Sequence, residues 1–346
     1  MTLNSRAHFT RIAVGRRTLA ALATAALVAA CGLAACGDVG PNRAERPASG
    51  RLDTAAASPT AAEGATTPEA PPSPSYSPAG PRPTETPAAF PVVAARSCDP
   101  SVVPGAEFPP LAKPTATPLT LHVPILEYHR IVPLDEAGRS LAGLTMSPQV
   151  FESQMDALDR AGWHTITLGT LADDLAAGVA PPPQRFVVTI DDGWFDSFTY
   201  AYPILARHGY VATFFVIAGR IGQPFFMGTN EIRELAAAGN EIGDHTVDHG
   251  ALTAAQPNDL TYEIDAGAAT IAALTSHWPE TLAYPRGRVD AVVIAAVAAC
   301  KSMRMAVAEG NGGPETWADR FRVARIEVSP FRDPASLLAQ VERVGR

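Results

Sequence analysis

The sequence predicts an α/β fold built on a parallel sheet, open or closed, and three observations carry the prediction. From about Leu119 onward, short apolar runs alternate with amphipathic helical stripes, the β-then-α order that sets strands parallel. The polar clusters capable of chemistry each follow a strand, where the loops at the C-terminal face of an α/β barrel build a site. About 230 residues are available to the unit, which suits one such domain.

The elements follow in order. Leu119–Glu127 reads as the first strand, with Tyr128-His129-Arg130 at its end. Ser147-Pro148 is an N-cap followed by proline at the first helical position, and Phe151, Met155 and Leu158 give that helix an apolar stripe closed by Gly162. Trp163–Leu168 reads as a strand, Leu171–Ala177 as a short helix before Pro181-Pro182-Pro183, and Phe186–Ile190 as a strand. Tyr202–His208 is a helix, Val211–Ile217 a strand, Glu231–Ala238 a helix ended by Gly239, and Glu241–Asp244 a strand. Leu260, Ile264, Ile271 and Leu274 mark a longer helix. Thr281–Tyr284 is a strand, Val289–Ala299 a helix, and Met305–Ala308 and Phe321–Val328 are further strands.

Two of these strands feed reactive knots. Phe186–Ile190 runs into Asp191-Asp192-Gly193, and Glu241–Asp244 runs into His245-Thr246-Val247-Asp248-His249. One carboxylate and two imidazoles make a three-ligand site for a borderline-soft divalent ion such as zinc, with a position left for water. The second carboxylate is then free to take a proton from that water. Together the clusters read as metal-assisted hydrolysis.

The N-terminus speaks to location. Arg6, Arg11, Arg16 and Arg17 precede an uncharged, Ala- and Leu-rich run from Thr18 to Ala35, the n- and h-regions of a secretory signal over residues 1–35. The run ends Leu33-Ala34-Ala35-Cys36-Gly37, which resembles a bacterial lipobox and implies a diacylated Cys36; Cys31 fits the pattern less well because apolar residues follow it. The domain is therefore expected outside the cytoplasm, lipid-anchored to the cell membrane, with plain secretion as the second choice. Residues 36–118 change character: 18 of the 32 prolines lie between Pro41 and Pro118, among Ala, Ser, Thr and Glu. So few large apolar residues cannot offset the ordering entropy, and a Pro-stiffened tether is expected, with the folded domain over 119–346.

Charge excludes one class of partner. The chain carries 27 Lys+Arg against 35 Asp+Glu, and the four arginines that leave with the signal take its balance from −8 to −12. That gives no electrostatic footprint for nucleic acid. It also leaves membrane attachment to the acyl chains rather than to lipid headgroups. A monomer is expected. With Cys31 and Cys36 accounted for, Cys98 and Cys300 remain. In an oxidising exterior they either pair, clipping the tether to the domain, or stay apart, with Cys300 buried on an apolar helix; both readings stand at this point.

Thr189-Ile190-Asp191-Asp192-Gly193, His245-Thr246-Val247-Asp248-His249 and Tyr284-Pro285-Arg286-Gly287 together resemble the polysaccharide deacetylases with the NodB homology domain, carbohydrate esterase family 4. Pro124-Ile125-Leu126-Glu127-Tyr128-His129-Arg130, Thr213-Phe214-Phe215 and Glu241-Ile242-Gly243 resemble its poly-N-acetylglucosamine subgroup. The resemblance, over roughly Val123 to Pro330, implies a distorted (β/α) barrel with fewer than eight strands. It implies Asp191 as general base, and Asp192, His245 and His249 as ligands of a divalent metal, usually Zn2+, with Co2+ or Ni2+ as alternatives. It further implies an oxyanion held by the metal and by the backbone N–H of Arg286, in a groove shared with Tyr284 and Pro285. His129 is implied as the acid that protonates the leaving amine, whereas His277, before Trp278-Pro279 at the opposite end of the barrel, is expected to be structural. An acetylated polysaccharide is the implied substrate.

The departures are local. Ile190 replaces a phenylalanine, Arg286 an aromatic residue, and Ala283 an arginine that orients the base in many relatives. Asp244 stands where Ser or Asn is common and is expected to orient a ligand histidine. Three functions are compatible with this pattern. The first is a metal-dependent N-deacetylase of a surface polysaccharide containing N-acetylglucosamine. The second is the same chemistry on peptidoglycan or on an O-acetyl (xylan-type) ester. The third is a catalytically silent carbohydrate-binding lipoprotein, against which the intact Asp191/Asp192/His245/His249 set argues.

Overall fold

The computed structural model describes residues 88–346, apart from 111–113, 116–118 and 138–141. The signal segment, the lipobox with Cys36 and most of the Pro-rich stretch lie outside the described residues.

Parallel strands line up in the order expected of a barrel. β1 (Ile125–Tyr128) pairs with β2 (Arg185–Ile190), followed by β3 (Thr213–Val216), β4 (Glu241–Asp244), β5 (Thr281–Ala283) and β6 (Met305–Ala308), all parallel. The segment predicted as one strand over Phe321–Val328 is interrupted. Its first half, β7 (Val323–Ala324), pairs with β6, and its second half, β8 (Ile326–Glu327), pairs with β1. Only Arg325 separates the halves, so one segment bridges the two edges of the sheet and nearly closes it. The barrel thus has fewer than eight strand positions. The interruption marks a change of partner, from β6 to β1, and at the changeover Arg325, 1% exposed, turns its guanidinium inward onto carboxylates.

Helices cover the outside where capping residues start them. Ser147 accepts from the Val150 N–H at 3.3 Å and opens α1 (Pro148–Arg160), which buries Phe151, Met155 and Leu158. Thr167 caps α2 (Leu168–Ala177), which shortens the strand predicted over Trp163–Leu168 to His164–Thr165. A π-helical turn at Ser197–Ala201 leads into α3 (Tyr202–Arg207), and α4 (Thr229–Ala237) follows β3. α5 (Pro257–Thr275) buries the small residues Ala266, Gly267, Ala268 and Ala269. Gly267 is required there, since a Cβ would sit 2.4 Å from Asp244 Oδ1. Asp290 caps α6 (Ala291–Ala299), and Asp333 caps α7 (Pro334–Val344), which packs on α1. α7 was not among the predicted elements, although Asp333-Pro334 and the Leu337/Val341 stripe announce it.

Two expectations change at the N-terminal edge. The first predicted strand is broken at Pro124: Thr120–Leu121 pairs antiparallel with Glu315–Thr316, outside the barrel. The boundary drawn at residue 118 also moves. Residues 88–108 are held on the domain by Phe90 N–H to Ile221 O at 3.0 Å, Val93 N–H to Thr270 Oγ1 at 2.9 Å, and Phe108 edge-on to Trp278. Val92, Val93 and Phe108 pack against a core containing Ala95, Cys98 and Cys300, which a composition dominated by proline conceals.

Cys98 and Cys300 are joined in a disulfide, with Cα atoms 4.9 Å apart across a sequence separation of 202. That resolves the open pairing. A bridge closing so long a loop restricts the unfolded chain, and its removal typically costs about 2–5 kcal/mol. Cys300→Ser is expected to lower the urea midpoint by a corresponding amount, matching the parent under reductant. Equal midpoints for reduced and oxidised parent would show that the bridge contributes nothing.

Candidate active site

Asp191 and Asp192 leave the C-terminal end of β2, His245 and His249 follow β4, and Tyr284–Gly287 follows β5, so all face one end of the barrel. There they line a cleft of about 200 Å³ with Glu127, His129, Glu309, Arg325 and Glu327. Backbone strain concentrates here. Asp192 (φ 76°), Thr246 (φ 66°), His249 (φ 64°) and Arg286 (φ 60°) all adopt the left-handed region that side chains disfavour. Such strain persists only where the surroundings over-determine it, and it clusters at functional sites.

The donor set is convergent. Asp192 Oδ1 lies 3.6 Å from His245 Nε2 and 3.4 Å from His249 Nε2, and one ligand atom from each residue falls within 4.8 Å of the others. His245 Nδ1 is 2.8 Å from the Ala283 carbonyl. A carbonyl only accepts, so Nδ1 carries a hydrogen, and Nε2 is the atom left to face Asp192 and to serve a cation once its own proton is lost. Asp192 is itself aimed by Trp194, whose Nε1–H donates to Oδ2 at 2.9 Å. Burial would raise the Asp192 carboxyl, but the histidines, His245 first, outweigh it and hold it well below the usual range. These residues therefore fit a divalent cation by chemistry and by approach.

The loop between the histidines is fastened from α5. Glu263 accepts from the backbone N–H of Val247 and of Asp248, each at 3.0 Å. Asp244, expected to orient a histidine, does something else. Its Oδ1 accepts from the Thr246 N–H at 2.9 Å, its Oδ2 has no partner, and burial pushes its carboxyl well above the ordinary value. It sets the backbone turn rather than an imidazole.

Asp191 is fully enclosed and held by a residue the sequence did not single out. Arg325 donates through Nη1 to Oδ1 and through Nη2 to Oδ2, both at 2.8 Å, and through Nη1 to Thr189 Oγ1 at 3.0 Å. Burial acts to raise Asp191, yet the Arg325 guanidinium and then His245 keep its carboxyl below the ordinary value, so it stays ionised. Arg325 thus fills the place left by Ala283. The signal was an arginine inside an apolar strand, since a charge buried there needs a partner. Glu127, in the buried run of β1, gave the same signal.

His129 directly follows β1 beside this group: Glu127, His129 and Asp191 each offer a ligand atom within 4.8 Å of the others. His277 lies elsewhere. It is exposed, 3.1 Å from Glu107, and lines a separate cleft of about 320 Å³ with Glu241, near the start of β4. The expected groove residues divide. Arg286 is exposed on the cleft, whereas Pro285 is buried. The Tyr284 ring is 1% exposed, packed in the core with its hydroxyl donating to Phe321 O at 2.7 Å, so its side chain is structural. Gly287 permits the close approach of Glu309, whose Cγ would lie 2.2 Å from an added Cβ.

A nearly closed parallel barrel with its reactive side chains at one end is the architecture of the NodB-type deacetylase barrels. Residues 178–304 match the family model described as Polysaccharide deacetylase. The chain is 27% identical over 220 residues to YxkH of Bacillus subtilis (strain 168), named as a polysaccharide deacetylase, covering 64% of this chain and 76% of that one. It is similar to the deacetylase PplD of Streptococcus pyogenes, solved in complex with acetate, at 26% identity and TM-score 0.58, covering 65% of this chain and 99% of that one. IcaB of Ammonifex degensii shares the fold at 22% identity and TM-score 0.54, covering 65% and 97%. The matched region, residues 178–304, is a polysaccharide deacetylase domain, of a family of hydrolases acting on amide bonds.

Proposed function

We propose that this protein is a metal-dependent N-deacetylase that removes acetyl groups from N-acetylglucosamine units of a surface polysaccharide, working outside the cytoplasm on a lipid anchor at Cys36. The observation that carries the reading is the pairing of two sets of groups in one cleft: Asp192, His245 and His249 converge on one point, and the ionised Asp191 is clamped beside them by Arg325. A binding module needs no such clamped carboxylate.

Asp192, His245 and His249 would hold the ion, zinc being the best match to two imidazoles and a carboxylate. When bound, zinc supplies a Lewis acid for the acetyl oxygen and the attacking water. Asp191 takes the proton from that water, and Arg325 fixes its carboxylate in place. The strained Arg286 offers its backbone N–H to the developing oxyanion. His129 gives the amine its proton, as an imidazole can near neutral pH.

The test is acetate release from N-acetylglucosamine oligomers, peptidoglycan strands and acetylated xylan, with and without chelator. Oligomers are expected to react fastest, chelator to stop the reaction, and zinc to restore it; faster release from either other polymer would reassign the substrate. His129→Ala should suppress the oligomer reaction at unchanged zinc content while hydrolysis of an activated aryl acetate falls much less. His277→Ala should leave both near the parent level. Equal oligomer rates for His129→Ala and the parent would remove His129 from the mechanism.

A further inference from the structure

Glu127 belongs neither to the ligand set nor to the base, yet it occupies the same cleft. It is 3% exposed on β1. Its Oε1 lies 3.0 Å from Arg325 Nη2 and 3.9 Å from His129 Nε2, and its Oε2 is buried with no hydrogen-bond partner. An ionised carboxylate with a buried, unsatisfied oxygen is costly, and a proton on the carboxyl group relieves the cost.

The charge balance leads the same way. Arg325 brings one positive charge to two buried carboxylates, and its two-point contact goes to Asp191. The charged and titratable groups around Glu127 are Arg325 and Glu327 on the closing segment, Asp191 after β2, Glu309 after β6, and His129 just after β1. Burial pushes Glu127 up to about 7 against the pull of Arg325, with Asp191, Glu309 and Glu327 adding to the rise.

We propose that Glu127 stores the proton required by the departing amine and passes it to His129. This rests on the deacetylase reading above. Water adds to the acetyl carbon and gives one proton to Asp191. As the C–N bond breaks, its electron pair goes to nitrogen, which takes a proton from His129, and Glu127 reprotonates His129. Acetic acid leaves, and the proton on Asp191 returns to Glu127 within the cluster they share with His129. The imidazole must approach Glu127 by about 1 Å to reach hydrogen-bonding distance. Glu127 acts through His129 and is therefore a positioning residue.

The test uses the zinc-loaded parent, Glu127→Gln and Glu127→Asp. Glutamine keeps the shape and an acceptor for Arg325 but has no proton to give. Its kcat on an N-acetylglucosamine oligomer should fall by roughly 10²-fold or more, with KM and zinc content unchanged. An aryl acetate, whose phenolate leaves unprotonated, should react near the parent rate. The parent's kcat on the oligomer should decline as pH rises past about 7, and this decline should vanish from the residual activity of the glutamine variant. Aspartate should recover part of the oligomer rate. Glutamine matching the parent on the oligomer, or losing both substrates equally, would overturn the relay. A parent that releases no acetate from the oligomer would instead overturn the deacetylase reading, and the relay with it.

Discussion

Asp191→Asn is expected to lose roughly 10²–10⁴-fold in acetate release while binding zinc as the parent does, because it removes the base and leaves the ligands. Asp192→Asn should do the reverse at the first step, weakening zinc binding, with turnover falling as the metal is lost. The geometry separates the two neighbours. Asp192 points at both histidines and Trp194, whereas Asp191 points at Arg325. Calorimetric zinc titration beside oligomer turnover distinguishes the roles. Equal loss of zinc in both variants would show that the pair is divided wrongly. The asparagine amide at 191 also turns a donor toward an Arg325 donor, so thermal unfolding should be recorded to show that the variant folds.

What was legible in the sequence was local. The Asp-Asp-Gly turn and the two histidines four positions apart each sit on one loop, and β-then-α alternation alone sends both loops to the same end of the sheet. The parallel barrel follows from the same alternation. What escaped depends on distant contacts or on backbone detail. Arg325 meets Asp191 across a separation of 134 residues, so nothing beside either residue announces the pair. The last predicted strand is split because its two halves pair with different neighbours, β6 and β1. Asp244 was misassigned because a carboxylate next to a histidine can bond the imidazole or the following backbone, and the left-handed Thr246 selects the backbone. Residues 88–108 were lost in a Pro-rich composition that outweighs their few apolar anchors, whose burial depends on a core assembled from the far end of the chain.

The largest combined effect on stability and turnover is expected at Arg325. Arg325→Met keeps the bulk and removes the charge shared by Asp191 and Glu127. Breaking a buried ion pair by deleting one partner costs about 3–5 kcal/mol, because the remaining charge is left in a poor solvent. Turnover should fall as well, since nothing then fixes the Asp191 carboxylate. The sign of the pH dependence follows from the shifts. In the parent, Asp191 is held below its unfolded value, so its contribution is present above the ordinary carboxylate range and is lost as pH falls through the lower folded value. In the variant, burial acts unopposed and raises both carboxyls, so each carries a proton more readily in the folded state. The stability deficit should therefore be widest at neutral pH and narrow as pH falls toward about 4. Adding Glu127→Gln to Arg325→Met should regain part of the stability and none of the turnover. Urea midpoints at two pH values, with oligomer turnover alongside, check each point. A deficit that does not change with pH would mean that packing, not charge, is what Arg325 supplies.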